Sequence, residues 1–266
     1  MCQQLSICLT VIVARSPGVH GRTVAYSHEG ERQLGRGRHG RYGGHGGRGE
    51  SSMTLHAPES LHIVDQIVHR LHGRFGSAFD SAVVRETVLD SVRRYRHLDH
   101  PSHHRRSRAA QLATDRLDAR LWAAGHDAGS RPASVLFICS GNAGRSQIAA
   151  AMLRAIAPAT WRIASAGDRP AARILPAAIE ALDELGVAMF GEYPKPLTPE
   201  LVEAADHIVV LNCNDRLEAL DGHAFRTWNI MLESTSGKTG MRRTRDEIVD
   251  HVYLLAIELG LEARSV

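Results

Sequence analysis

Cys139 and Arg145 bracket a loop of small residues, Cys139-Ser-Gly-Asn-Ala-Gly-Arg145, and Ser146 follows at once. A thiol and a guanidinium at the two ends of such a loop suit nucleophilic attack on an oxyanion. Ahead of it runs Ser134-Val-Leu-Phe-Ile138, an apolar, β-rich stretch of the kind that makes a buried parallel strand. Behind it runs Gln147-Ile-Ala-Ala-Ala-Met-Leu-Arg-Ala-Ile156, rich in strong helix formers. The loop therefore joins a strand's carboxyl end to a helix N-terminus, where converging N–H groups and the helix dipole favour an anion. That field also favours a cysteine's nucleophilic thiolate. Arg145 can clamp two oxygens of a tetrahedral anion. Gly141, Ala143 and Gly144 keep the loop wall low enough for an anion to reach the backbone. Ser140, Gly141, Asn142, Ala143, Gly144 and Arg145 form the expected substrate cradle. The plain alternative is a buried cysteine acting as a small hydrophobe.

The elements that must hold this loop can be read along the rest of the chain. Thr160–Ala164 reads as a second strand, and Leu175–Leu185 as a helix stopped by Gly186. Pro199 opens a short helix. His207–Leu211 is a third strand, Ala224–Trp228 a fourth, and Arg242–Leu259 a closing helix. Loops after the first, third and fourth strands should face the anion site. Upstream, residues 53–126 read as three amphipathic helices. Leu61, Val64, Ile67, Val68 and Leu71 share one face of the first. Asp80 or Ser81 caps the second, which carries Val84, Val88, Val92 and Tyr95. The third presents Ala109, Leu112, Ala113, Leu117 and Leu121. Such a bundle buries its stripes internally or against the downstream domain.

Residues 1–52 read differently. Residues 35–49 hold eight glycines in fifteen positions and almost nothing to bury, the composition of a disordered segment. Met53 stands just before the first helical periodicity, so residues 1–52 also read as a mis-assigned upstream extension. They carry seven arginines and three acids, a local +4 that leaves about −1 for the remainder of a chain with net charge +3. That remainder offers no broad footprint for nucleic acid. Four cysteines (Cys2, Cys8, Cys139, Cys213) without regular spacing argue against a disulfide scaffold and fit a reducing, cytoplasmic setting. Ile7–Ala14 is far short of the ~20 residues of a membrane helix. His97, His100, His103 and His104 straddle Pro101 without a Cys or a placed carboxylate, and read as solvated rather than as metal ligands.

The run Val135–Met152 resembles the active-site loop of the low-molecular-weight protein tyrosine phosphatase superfamily. Its Asn-Ala-Gly-Arg-Ser-Gln interior is more similar to the arsenate reductase branch. Ser165-Ala-Gly167, Pro194-Lys-Pro-Leu-Thr-Pro-Glu-Leu-Val202, Ala205–Cys213, Trp228 and Arg245-Asp-Glu-Ile248 follow in family order. The resemblance covers about residues 133–260, within an expected catalytic domain of residues 133–262. It implies a doubly wound α/β fold with a four-stranded parallel sheet. The bundle resembles the three-helix domain that precedes some actinobacterial reductases of this family.

The resemblance implies a mechanism in which Cys139 attacks arsenic and a second thiol releases arsenite. Ser146 would donate to the sulfur, and Asn142 would pin the loop; turn-former and helix N-cap are their plainer roles. Two positions depart from the family. Its general acid, four residues after the tryptophan, falls on Leu232, with Glu233 next door as a candidate replacement or a solvated carboxylate. Cys213 matches the first of two redox cysteines, but the second falls on Leu217. Cys213 thus reads either as the resolving thiol or as a strand-end core residue. Without it, a small thiol of mycothiol type must serve, with a glutaredoxin- or thioredoxin-type partner. No bound cofactor is implied. General acid help is worth ~10²–10⁴ in rate, so its loss weighs more on expelling a phenolate than on arsenate, which carries its own proton. Three readings follow: a thiol-dependent arsenate reductase, a low-molecular-weight phosphatase working through a cysteinyl phosphate, and an impaired oxyanion-binding or regulatory protein.

Overall fold

The computed structural model describes residues 57–95, 102–125, 132–213, 217–231 and 237–261. The expected disorder of residues 1–52, Cys2 and Cys8, and the positions Leu232 and Glu233 lie outside them. Residues 57–266 make one compact unit. It begins with three helices, α1 (Ala57–Phe75), α2 (Ser81–Arg94) and α3 (Ser102–Ala124). Asp80 caps α2, its Oδ1 accepting from Val83 N at 2.8 Å, so the cap is Asp80 rather than Ser81. Val64, Ile67, Val68, Leu71 and Phe75 of α1 meet Val84 and Val88 of α2 and Ala110, Ala113 and Leu117 of α3 in a closed apolar cluster.

Four parallel strands follow, β1 (Ser134–Cys139), β2 (Arg162–Gly167), β3 (His207–Leu211) and β4 (Arg226–Trp228), in the order β2-β1-β3-β4. All six residues of β1 are buried, which is why its sequence is continuously apolar rather than alternating. The helices are α4 (Arg145–Ile156), α5 (Pro176–Asp183), α6 (Pro199–Glu203) and α7 (Gly237–Glu258), with a 3₁₀ turn at Glu218–Leu220. Val135, Phe137 and Cys139 join one core with α4, α5 and α7. Leu136 and Ile138 point the other way, to α6 and to Ala119 of α3. The chain leaves β1 for β2 on one side and returns to β3 on the other. The carboxyl ends of β1 and β3 therefore flank the switch point, where open α/β sheets bind ligands. Among the described residues no helix is long and apolar enough to cross a membrane.

Several expected boundaries move. The second strand runs 162–167, not 160–164, because Thr160 and Trp161 lie in the turn after α4, with Trp161 N donating to Pro158 O. Small Ser165-Ala-Gly167 extends it, in register with Phe137–Cys139. The fourth strand begins at Arg226 rather than Ala224, where pairing with Val209 starts. The closing helix begins at Gly237, five residues early, since Met241 is a core residue and Lys238 pairs with Glu180. Leu121, expected inside, is exposed. Beyond Leu117 the buried side of α3 swings to Ala119, Trp122 and Ala123, which face the sheet instead of the bundle.

Candidate active site

The end of β1 delivers Cys139 into the turn before α4, where its side chain is buried. Its Sγ lies 2.9 Å from Ser146 Oγ. Asn142 Nδ2 donates to that same oxygen at 2.9 Å, which leaves the Ser146 hydroxyl hydrogen free to point at the sulfur. The orientation of the Asn142 amide is fixed by its neighbours, because Lys195 N donates to Oδ1 at 2.8 Å. Gln147 Nε2 also reaches Asn142 Oδ1 at 3.1 Å and Asn142 O at 3.2 Å. Asn142 itself sits at φ 45, left-handed backbone that Asn tolerates better than most residues. It is therefore both turn-former and pin. Ser146 is not the helix N-cap: Gly144 takes that place, without a side-chain cap. The serine lies two positions past the cap, and its hydroxyl meets the Cys139 sulfur.

The loop is also clasped from the β2 side, which the sequence reading missed. Arg169 N, Ala171 N and Leu175 N donate to the carbonyls of Ser140, Gly141 and Ala143 at 2.9, 2.8 and 2.9 Å. These bonds occupy carbonyls of the loop and tie it to the segment after β2. A Cβ on Gly167 would meet Ser140 O at 2.7 Å and Asn142 N at 2.8 Å, so only glycine lets the end of β2 lie against the loop. A Cβ on Gly141 meets nothing nearer than 3.9 Å, so protein packing makes no demand for glycine there.

Arg145 opens α4 and is half-buried. Its Nη1 donates to Ile230 O at 3.1 Å, which ties it to the segment after β4. Its buried Nε reaches no acceptor among the described residues. A buried donor on a charged group without an acceptor is costly unless a ligand meets it. Cys213 stands just past β3, half-buried, with Sγ 3.6 Å from Ser140 Oγ. Burial pushes its thiol up, opposed by the Ser140 bond; negative charge on Cys139 and Asp168 adds to the rise, and Arg145 opposes it. Both cysteines are free thiols. Leu217 instead packs into the core behind the sheet, so no third thiol stands where a longer relay would need one.

Geometry thus brings Cys139, Ser140, Asn142, Arg145, Ser146 and Cys213 to one sheet end. Gln147 and Lys195 were not singled out. A glutamine in an otherwise apolar, Ala-rich helix was the available signal for the first, and nothing local marked the second. Among the described residues no three His, Cys, Asp or Glu side chains gather as metal ligands would; His97 and His100 lie outside those residues.

Comparison with known proteins agrees with this layout. Residues 134–233 match the model for low molecular weight phosphotyrosine protein phosphatase. A solved structure of the thioredoxin-dependent arsenate reductase Cg_ArsC1' of Corynebacterium glutamicum is 31% identical, with a TM-score of 0.65. The match covers 75% of this chain and 98% of that one, so it includes helices ahead of the sheet. The protein-arginine-phosphatase of Bacillus subtilis (strain 168) is 28% identical over 149 residues, 49% of this chain and 99% of the relative. With a loop closed by Cys139 and Arg145, a parallel sheet in the order β2-β1-β3-β4 and these relatives along nearly their whole lengths, the chain belongs to the low-molecular-weight phosphotyrosine protein phosphatase family.

Proposed function

We propose that the protein is an enzyme that reduces arsenate to arsenite at Cys139. The Cys139 thiolate attacks arsenic, an arsenate oxygen leaves as water, and a sulfur–arsenic bond forms with arsenic still pentavalent. The loop N–H groups and Arg145 neutralise the oxygens, with the Ser146 hydroxyl donating to the sulfur. Cys213 then attacks the Cys139 sulfur. A disulfide forms, and the sulfur–arsenic pair of electrons stays on arsenic, which departs as arsenite. An external dithiol of thioredoxin or glutaredoxin type reduces the disulfide. A mycothiol-like small thiol attacking in place of Cys213 gives the same balance. The setting is the reducing cytoplasm.

The placement of Cys213 carries this reading. A second free thiol stands beside Ser140, at the carboxyl end of the strand next to Cys139. Burial chiefly holds its thiol above the ordinary value, and Cys139 adds to the rise. The relationship to a thioredoxin-dependent arsenate reductase supports the same chemistry. The test is turnover of arsenate with a thiol reductant, followed by mass spectrometry of the arsenate-treated protein. Cys139→Ser should abolish turnover. Cys213→Ser should abolish the Cys139–Cys213 bridge. Turnover that survives Cys139→Ser would refute the scheme.

The second reading is phosphoester hydrolysis through a cysteinyl phosphate, favoured by the relationship to a protein-arginine-phosphatase and by a loop equally suited to phosphate. Para-nitrophenyl phosphate hydrolysis beside the arsenate assay separates the two. Silence in both, with phosphate still bound, would assign the protein to oxyanion sensing, in keeping with Leu232 at the general acid position.

A further inference from the structure

We propose that the three-helix unit is part of the anion site, with Asp115 of α3 and Tyr193 as positioning residues that fix the Cys139 loop through the segment Tyr193-Pro194-Lys195. The connection is continuous. Asp115 Oδ2 accepts from Tyr193 OH at 2.8 Å and pairs with Lys195 Nζ at 3.1 Å. Tyr95, at the end of α2, donates to Pro194 O at 3.1 Å. Arg108 of α3 and Lys195 lie 4.8 and 4.6 Å from the centre of the Tyr193 ring, within cation–π range. On its other side the same segment holds the loop. Tyr193 O accepts from Gln147 Nε2 at 2.9 Å, and Lys195 N donates to Asn142 Oδ1. Asn142 in turn holds Ser146, and Ser146 touches the Cys139 sulfur. Lys195 O also accepts from Gly167 N at 2.9 Å, which docks the segment on the end of β2.

Tyr193 is buried among these groups. Burial, with the charge of Asp115 adding to it, pushes its hydroxyl far up, so it acts as a donor at every working pH. Asp115, Tyr95 and Arg108 hold one side of the segment, and the two side-chain amides it meets on the other are Asn142 of the loop and Gln147 in the first turn of α4. A shift of α3 therefore moves the Asn142 amide, and with it the N–H groups that would surround an oxyanion. Positioning of this kind acts on affinity, because misplaced donors lose an anion before they lose the fold. The inference rests on the oxyanion reading of the loop, though not on which oxyanion reacts there.

Protection of Cys139 by orthophosphate tests it. The full-length protein is alkylated with iodoacetamide at rising phosphate, modification of the Cys139 peptide is read by mass spectrometry, and Tm is measured alongside. Tyr193→Phe and Asp115→Asn should each raise the half-protecting phosphate concentration about fivefold, the loss of one modest hydrogen bond. The double variant should add little to either single change, because both break one connection. Leu71→Ala, within the bundle core and away from this segment, should lower Tm without moving the phosphate concentration. Unchanged protection in Tyr193→Phe and Asp115→Asn would overturn the proposal, as would an equal shift in Leu71→Ala. Wild-type protein that phosphate does not protect would sink the oxyanion reading itself and this inference with it.

Discussion

On one face of the sheet, Val135 and Phe137 meet α4, α5 and α7 through side chains that are nearly all aliphatic or aromatic, with the Phe137 and Trp228 rings 5.6 Å apart. On the other face, Leu136 and Ile138 meet α6 and the last turns of α3, and the seam carries ions. Arg116 Nη2 and Nε reach Glu200 Oε1 and Oε2 at 2.7 and 3.0 Å, with both side chains more than nine-tenths buried. Arg116 Nη1 also reaches Asp90 of α2 at 2.8 Å, so one guanidinium joins α2, α3 and α6. Burial pushes Glu200 up, but the bonds and charge of Arg116 overcome it and leave the carboxyl below its ordinary value. An apolar face tolerates many shapes at the cost of volume. A buried fork accepts one geometry, which fixes α3 against the sheet and so holds Asp115 where Tyr193 meets it.

The faces should therefore fail differently. Phe137→Ala removes a fully buried ring from the apolar face and should cost about 3–5 kcal/mol by leaving a cavity. Denaturant unfolding measures it, and partial rescue by Phe137→Leu is expected because volume is what that site lacks. Arg116→Ala should cost a similar ~3–5 kcal/mol, because it takes from a buried carboxylate the nearer of its two arginines and leaves Arg120 at 3.3 Å. There the rescue is of another kind: Arg116→Met with Glu200→Met should recover most of the loss, since removing both charges removes the penalty. If the double variant were no more stable than Arg116→Ala, the seam would owe its strength to shape, and the contrast between the faces would fail.

A smaller effect is expected where the two faces meet. Gly167 ends β2 against the loop, and a Cβ there would approach Asn142 Cβ at 2.9 Å and two backbone atoms more closely still. Gly167→Ala should cost about 1–3 kcal/mol through overpacking, while turnover falls far more than that loss of stability implies. Activity in proportion to folded protein would show that the loop can yield.

These contrasts also explain how much could be read without coordinates. The Cys139–Arg145 loop and the β1–α4 pair were legible because strand, loop and helix are contiguous, and each signals through local pattern. The doubly wound parallel sheet followed from the resemblance rather than from any residue count, and its strand order was not read. The apolar face was legible in part, since the buried stripe of α7 recurs at helical spacing through Ile248, Val252 and Leu255, while Met241 fell ahead of the expected start. The ionic seam was not. Arg116 and Glu200 lie 84 residues apart, and Tyr193 and Asp115 lie 78 apart. In a helix as charged as α3, nothing local separates the buried arginine from its solvated neighbours. Leu121 was misplaced for the same reason, because a helix serving two cores does not keep one stripe.

The smallest expected effect sharpens the contrast most, because it concerns the same pair of side chains in a different setting. At the margin of the apolar face Glu184 ends α5 and accepts from Arg242 Nε at 2.9 Å and Arg245 Nη1 at 2.9 Å. The Arg242 bond chiefly holds its carboxyl down at about 2 from an ordinary 4.5; burial opposes this, and Arg245 adds to it. A depressed carboxyl contributes stability that is fully present above the ordinary value and is lost as pH falls from 4.5 towards 2. A third of this side chain is exposed, however, so water and salt screen the pair. Glu184→Gln should therefore lower Tm by only about 1–2 °C at neutral pH, and the gap should close as the solution is acidified through that window. Salt should shrink it further at neutral pH, whereas the loss from Arg116→Ala should hardly respond to salt. A gap for Glu184→Gln that is constant from neutral pH into the acid range would mean that its carboxylate contributes no charge-dependent stability, and that the two arginine–glutamate seams differ in kind and not only in burial.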